Sequence, residues 1–332
     1  MAKQTILTGI KPTGTPHIGN YIGAIKPALS LLTEQNRCLY FIADYHALTI
    51  IRDPKLLQQL CYEVAATWLA LGLDPSKVIF YRQSDIPEVF ELSWILSCLT
   101  PKGLMNRAHA YKAIVAENQK SGIKDLDKGV NMGLFTYPIL MAADILVFNT
   151  DLVPVGKDQV QHVEIARDIA IRFNHRYGDT FRIPEYLVGE ETAVIPGLDG
   201  RKMSKSYGNT IPLFIEPDKL RKLVFRIKTD SSRPDEPKDP SRSIIFKIYK
   251  EFATREQVDY LRKRYLEGIS WGEAKQELFD VMNAYLEKPR EIYKELMEDK
   301  KKIDRILKDG AERAREIAIP LIKKIRKGIG KV

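Results

Sequence analysis

The residues that could do chemistry in this 332-residue chain lie in three places. The first is Gly9-Ile-Lys-Pro-Thr-Gly-Thr-Pro-His17-Ile-Gly-Asn20, a loop shaped by glycine and proline that runs into a helix. Such a loop leaves backbone N–H groups and the positive end of the helix facing a ligand. Gly19 lets a flat ring or a phosphate come close to the backbone. His17 and Asn20, on the first turn, can donate to phosphate oxygens; a plain tight turn with an incidental histidine fits the same residues. The second place is Arg201-Lys-Met-Ser-Lys-Ser206, between Gly200 and Gly208. Lys202 and Lys205 there form a cationic clamp whose charge can follow a departing polyphosphate, or else a solvated Lys/Ser loop. The third is Asp144, inside an apolar helical run with Tyr137 and Met141 on its face. A buried carboxylate is costly alone, so it meets either an arginine or backbone partner or a ligand.

These groups need a scaffold, and the hydrophobic pattern supplies one. Strand-like runs at 5–10, 38–44, 78–81 and 151–156 alternate with helical patterns at 18–32, 54–71, 87–99 and 158–172. Cys38-Leu-Tyr-Phe-Ile-Ala is apolar without alternation, as a strand buried on both faces must be. Strand and helix in this order predict an α/β, Rossmann-like parallel sheet wrapped by helices. After about residue 210 the strand signals stop, and Lys/Glu/Leu/Arg-rich helices follow, broken by the proline-rich loop 231–240. The reading is a catalytic domain at 1–206 and an all-helical domain at 207–332.

Taken together, Pro12…Pro16-His17-Ile18-Gly19-Asn20 and Lys202-Met-Ser-Lys-Ser206 resemble the two motifs of class I aminoacyl-tRNA synthetases. The blocks Gly133-Leu-Phe-Thr-Tyr137-Pro-Ile-Leu-Met141-Ala-Ala-Asp144-Ile-Leu and Asp151-Leu-Val-Pro-Val-Gly156-Lys157-Asp158-Gln159-Val-Gln-His162 resemble the bacterial tryptophanyl branch of that family. The resemblance runs from residue 5 to about 208. It implies two steps: L-tryptophan and ATP give an adenylate and pyrophosphate, and the tryptophanyl group then passes to tRNA(Trp). The first step needs reactants positioned and charge neutralised rather than a protein nucleophile. By the same resemblance Lys202 and Lys205 hold the pyrophosphate, with Met203, Ser204 and Ser206 around them, and His17 and Asn20 touch the phosphates. Lys11, Pro12 and Thr13 line the nucleotide, Gly19 packs under the adenine and Ile195 offers backbone to its edge. Gly156, Lys157 and Asp158 meet the ribose. Asp144 accepts the indole N–H, and Tyr137 and Gln159 hold the α-amino group, with Met141 and His46 also at the amino acid. Mg2+ accompanies the ATP, no dedicated metal-ligand cluster is seen, and a homodimer using part of 100–180 is implied. The helical domain would bind the anticodon end. The tyrosyl branch, a non-catalytic paralogue and a small nucleotidyltransferase are the rivals.

Composition agrees with a folded protein, at 44% apolar and 29% charged residues. The start lacks a signal-peptide core, no apolar run reaches membrane length, and Cys38, Cys61 and Cys98 read as buried thiols in a reducing compartment. The expectation is a cytoplasmic protein that binds no membrane and no DNA. The net charge is +9, and +7 of it falls in residues 301–332, where eleven Lys and Arg face four Asp and Glu. That patch suits a polyanion or the solvated end of a helix. Arg107 and Lys112 face phosphate or solvent. His109, His162 and His175 read as structural or exposed, and Trp68, Trp94 and Trp271 as core.

Overall fold

The computed structural model describes residues 3–188 and 195–330. Five parallel strands make one sheet: β1 (Gln4–Ile10), β2 (Asn36–Ile42), β3 (Ile79–Arg82), β4 (Leu152–Pro154) and β5 (Glu185–Leu187), in the spatial order β3-β2-β1-β4-β5. In β2, Cys38, Tyr40 and Ile42 join one apolar layer with Ile6, Val78 and Phe80. Leu39 and Phe41 join the other with Leu7, Ile79, Tyr81 and Val153. The period-two alternation thus divides one continuous apolar run between two cores, which is why the run carried no polar residues. β5 gave no sequence signal because its three residues are all exposed.

The helices follow the chain: α1 (Ile18–Asn20), α2 (Lys26–Ser30), α3 (Asp44–Ala47), α4 (Pro54–Ala70), α5 (Pro87–Ser97), α6 (Lys102–Met105), α7 (His109–Lys120), α8 (Met132–Leu146) and α9 (Val160–Tyr177). The C-terminal part adds α10 (Pro217–Phe225), α11 (Ile244–Tyr249), α12 (Arg255–Glu267), α13 (Trp271–Glu298) and α14 (Lys300–Gly328). The predicted helix at 18–32 is interrupted by a π-helical turn at Tyr21–Ile25, where the Lys26 N–H reaches the Tyr21 carbonyl and Pro27 follows. α9 outruns its expected end and stops at Gly178, whose φ of 87° the helix cannot continue.

α14 decides how the last, basic segment is used. Its first half, with Ile303 and Leu307, packs in the core on one side of the sheet. Its second half, with Ala314, Ala318 and Ile322, packs in the other. The helix therefore crosses the edge strand β3. At the crossing, a Cβ on Gly310 would stand 1.8 Å from the Phe80 carbonyl oxygen. Arg313 donates to the Pro75 carbonyl at 2.9 Å, Arg315 pairs with Glu88 at 2.9 Å, and Arg326 pairs with Glu91. Part of the basic run is thus internal structure, while Lys301, Lys302, Lys308, Lys323 and Lys327 stay exposed.

Two expectations about burial are corrected. Trp94 is 73% exposed, because α5 turns Val89, Leu92 and Leu96 inward and leaves Trp94 on the outer face. Cys98, just past that helix, is an exposed thiol, whereas Cys38 and Cys61 are buried. Trp68 is core, and Trp271 packs at its margin.

Candidate active site

β1 lies between β2 and β4, so the chain leaves it first toward one edge of the sheet and later returns on the other side. The carboxyl ends of β1 and β4 flank that reversal, which is where open parallel sheets hold ligands. Lys11, Pro12 and Thr13 follow β1, and Gly156, Lys157 and Asp158 follow β4. Lys11 donates its Nζ to Thr49 Oγ1 at 2.9 Å, and burial pushes its pKa below the usual lysine value. At the start of α1, His17 Nδ1 accepts the Gly19 N–H at 3.1 Å, and Asn20 Oδ1 accepts the His17 N–H at 3.0 Å. Each side chain caps the helix the other belongs to, so both are held at its positive end. His17 is pushed down to about 4 by burial and then by the charge of Lys205. The ring is therefore neutral at pH 7, with Nδ1 accepting and the other nitrogen carrying the proton.

The two lysine- and histidine-bearing segments, about 185 residues apart, meet through backbone. The Ile18 N–H donates to the Ile211 carbonyl at 3.0 Å and the Leu213 N–H to the Pro16 carbonyl at 3.2 Å. Met203 is buried, its N–H bonds the Ile195 carbonyl at 2.8 Å, and its Cβ would lie 3.6 Å from one on Gly19. Lys205 Nζ would stand 2.8 Å from a Cβ on Gly14, whose φ of 145° also favours glycine. Partial desolvation lowers the Lys205 pKa, although the residue stays exposed. Asn209, unmarked in the sequence, is the hub of this loop. It accepts the Ser204 N–H at 2.8 Å and donates to Asp199 at 2.7 Å and to the Lys202 carbonyl at 3.1 Å. Lys202 and Ser206 are exposed, and Ser204 Oγ bonds Ser206 Oγ at 2.8 Å.

Asp144 on α8 is 2% exposed. Its partners are neither arginine nor backbone. Gln83 Nε2 donates to both carboxylate oxygens at 2.9 Å, and His46 Nε2 lies 2.9 Å from Oδ2. Burial raises the Asp144 pKa, and the His46 hydrogen bond opposes that rise. Gln83 is fully buried just past β3; a lone glutamine after a buried strand gave no periodic signal. His46 and Tyr137 line a cavity of about 430 Å³, together with Thr49, Phe90 and Leu140, a size suited to a small ligand. Tyr137 also hydrogen-bonds His162, which is buried rather than peripheral. Met141 and Gln159 are half-buried, and Gln159 Nε2 donates to Asp158 at 3.2 Å.

The arrangement brings lysines and a helix start together in one part of the crevice and a buried carboxylate in another. Residues 2–287 match the family of class I tRNA synthetases for W and Y. The chain belongs to that family. A tryptophan–tRNA ligase of Neisseria meningitidis is 52% identical over 331 residues, covering 99% of this chain and 98% of the relative. One of Pseudomonas aeruginosa is 54% identical over 98% of this chain and 73% of its own length. The Campylobacter jejuni tryptophanyl-tRNA synthetase, crystallised with ADP and tryptophan, superposes with a TM-score of 0.89 at 47% identity over 98% of this chain and 100% of its own. The tyrosyl-tRNA synthetase of Archaeoglobus fulgidus, at 20% identity and a TM-score of 0.66, shares the fold.

Within this class I synthetase, His17, Gly19, Asn20, Met203 and Lys205 are drawn together, as are His46, Tyr137 and Asp144. Lys11 joins the two sets through Thr49, which lines the cavity beside His46. Gln83 and Asn209 are the additions that only the folded chain reveals, and folding gives His162 its Tyr137 partner. His109 and His175 are exposed, as expected.

Proposed function

We propose that the chain is a tryptophan–tRNA ligase that activates L-tryptophan with ATP and transfers it to tRNA(Trp). The observation that carries this reading is the Asp144 carboxylate. Among the described residues its hydrogen-bond partners are Gln83 and His46, and Oδ1, bonded to Gln83 alone, keeps a lone pair for an indole N–H. A charge-assisted hydrogen bond of this kind contributes about 1.5–3 kcal/mol. A side chain without that donor leaves the carboxylate short of a partner.

In the activation step the tryptophan carboxylate attacks the α-phosphorus in line and pyrophosphate leaves. Lys202 and Lys205 neutralise the leaving group, and His17, with Asn20 beside it, donates to phosphate oxygens. Lys11, Pro12, Thr13, Gly19 and Ile195 hold the adenine end, and Gly156, Lys157 and Asp158 the ribose. Tyr137 and Gln159 take the α-amino group, with Met141 and His46 against the rest of the amino acid. Mg2+ enters with the ATP phosphates. No cluster of three His, Cys, Asp or Glu is present among the described residues to hold it separately, so no step is assigned to it.

We assign catalysis to 1–206 and tRNA binding to 207–332, with the exposed lysines of α14 at the polyanion. A second copy of the chain covers part of 100–180, where Met132 is 70% exposed. No helix among the described residues is long and apolar enough to cross a membrane. The test of the reading is ATP–pyrophosphate exchange with tryptophan and with tyrosine as separate substrates. Tryptophan-dependent exchange is expected, and preference for tyrosine overturns it.

A further inference from the structure

We propose that His162 is a positioning residue for amino-acid recognition: it accepts the hydrogen bond of the Tyr137 hydroxyl and so leaves that oxygen's lone pairs facing the α-amino group. The inference rests on the reading of Tyr137 and Gln159 as the residues that hold that group. His162 sits on the first turn of α9, 2% exposed, with Nε2 hydrogen-bonded to the Tyr137 hydroxyl. Its Nδ1, which carries the proton when Nε2 accepts, is buried without a hydrogen-bond partner among the described residues. One imidazole is thus bonded to one of the residues assigned to the amine, and it follows the other by three positions in the same sequence block.

The chemistry of a phenol makes the contact directional. A tyrosine hydroxyl has one proton and two lone pairs. An ammonium group offers only donors, so the hydroxyl must turn lone pairs toward it. Its own proton then needs an acceptor elsewhere, and a buried donor without one is costly. His162 Nε2 provides that acceptor when the ring is neutral. Burial, with His109 and His46 nearby and Asp158 opposing, pushes His162 down to about 4, so the ring carries no charge at pH 7.

The ring of Tyr137 is also held from two sides. His162 lies with its centroid 5.1 Å away at 35°, and His46 meets it edge-on at 6.1 Å and 78°. His46 in turn hydrogen-bonds Asp144. A continuous side-chain path thus runs from the proposed amine end, through Tyr137, to the proposed indole end. It fixes the span between the two ends and not only each end.

The experiment is pyrophosphate exchange by the full chain carrying His162→Leu, Tyr137→Phe or both. Inhibition by indole-3-propionate, which is tryptophan without its α-amino group, is measured alongside. His162→Leu is expected to raise the KM for tryptophan about tenfold, the worth of one hydrogen bond in a buried site, with the KM for ATP within about twofold. Indole-3-propionate should inhibit wild type and variant equally. The double variant should be no worse than Tyr137→Phe alone, because His162 acts through that hydroxyl. His162→Gln, which keeps an acceptor oxygen, should recover part of the loss. Equal weakening of tryptophan and indole-3-propionate, additive losses in the double variant, or an unchanged tryptophan KM each overturn the proposal. If the leucine variant does not fold, His162→Asn, too short to reach the hydroxyl, carries the same expected and overturning results. A wild-type chain with no tryptophan-dependent exchange overturns the functional reading beneath it instead.

Discussion

Asp144 is buried and Lys205 is exposed, and on the proposed reading they act at different moments. The Asp144 carboxylate is buried with Gln83 and His46 as its partners, and on the proposed reading its effect is on binding the amino acid. Asp144→Ala is expected to raise the KM for tryptophan by about tenfold to a hundredfold and leave that for ATP nearly unchanged, measured by exchange kinetics. An unchanged tryptophan KM in the folded variant removes the specificity role. Lys205 lies against Gly14. Its charge matters most as pyrophosphate departs, so Lys205→Ala should cut turnover by roughly 10²–10³ with a much smaller change in ATP affinity. Equal losses in both would contradict that. His17 and His162 carry a further consequence, since both lie near 4 in the folded chain against an ordinary 6.5. As pH falls, the unfolded chain takes up these protons first. The stability gained by keeping both rings neutral is complete above about pH 6.5 and is lost as pH falls toward 4, by about 1–2 kcal/mol each after solvent screening. Urea unfolding between pH 7.5 and 4.5 should show the loss, with a shallower dependence in His162→Gln.

Among the elements, α14 is the one whose position the linear pattern left open. Its apolar face and buried alanines were readable as a helix, but the strand it covers was not. An edge strand exposes unpaired backbone groups, and β3 is shielded by this helix. Glycine at 310 allows the approach, because any Cβ meets the Phe80 backbone. Gly310→Ala is therefore expected to lower the thermal midpoint and cost at least about 2 kcal/mol, despite alanine's better helix propensity. A stabilised variant would show that the helix can stand further off. The loop at 199–209 follows the same logic. Its lysines were visible as a motif, yet its shape comes from Asn209, which bonds Asp199, Lys202 and Ser204.

For the whole molecule, the charge distribution changes meaning once the chain is folded. Of the basic residues after position 300, Arg313, Arg315 and Arg326 bind the protein's own carbonyls and carboxylates. Lys301, Lys302 and Lys308 are exposed on α14. Reversing these three to glutamate should weaken tRNA charging and reduce its salt slope by roughly two to three, while tryptophan-dependent exchange is unchanged. A fall in exchange as well would place the lysines in the catalytic scaffold. The two halves are also less separate than composition suggested, since one apolar cluster includes Ile6, Tyr21, Ile211, Leu278 and Leu307.

The linear order of residues determined the parallel α/β class, four of the five strands, and the loops carrying His17, Asn20, Lys202 and Lys205. Periodicity and turn chemistry are local, and so are those motifs. It also marked Asp144, because a charge inside an apolar run is conspicuous without any coordinates. Only the tertiary structure decided what Asp144 is bonded to, since Gln83 and His46 reach it from 61 and 98 residues away. The same holds for His162, an unremarkable residue of an amphipathic helix until α8 places Tyr137 against it. Trp94 shows the converse: an apolar type predicts burial only on average, and the face it occupies is set by what the rest of the helix packs against. Hydrogen-bond partners distant in sequence leave no period in the chain, and they are chosen by packing.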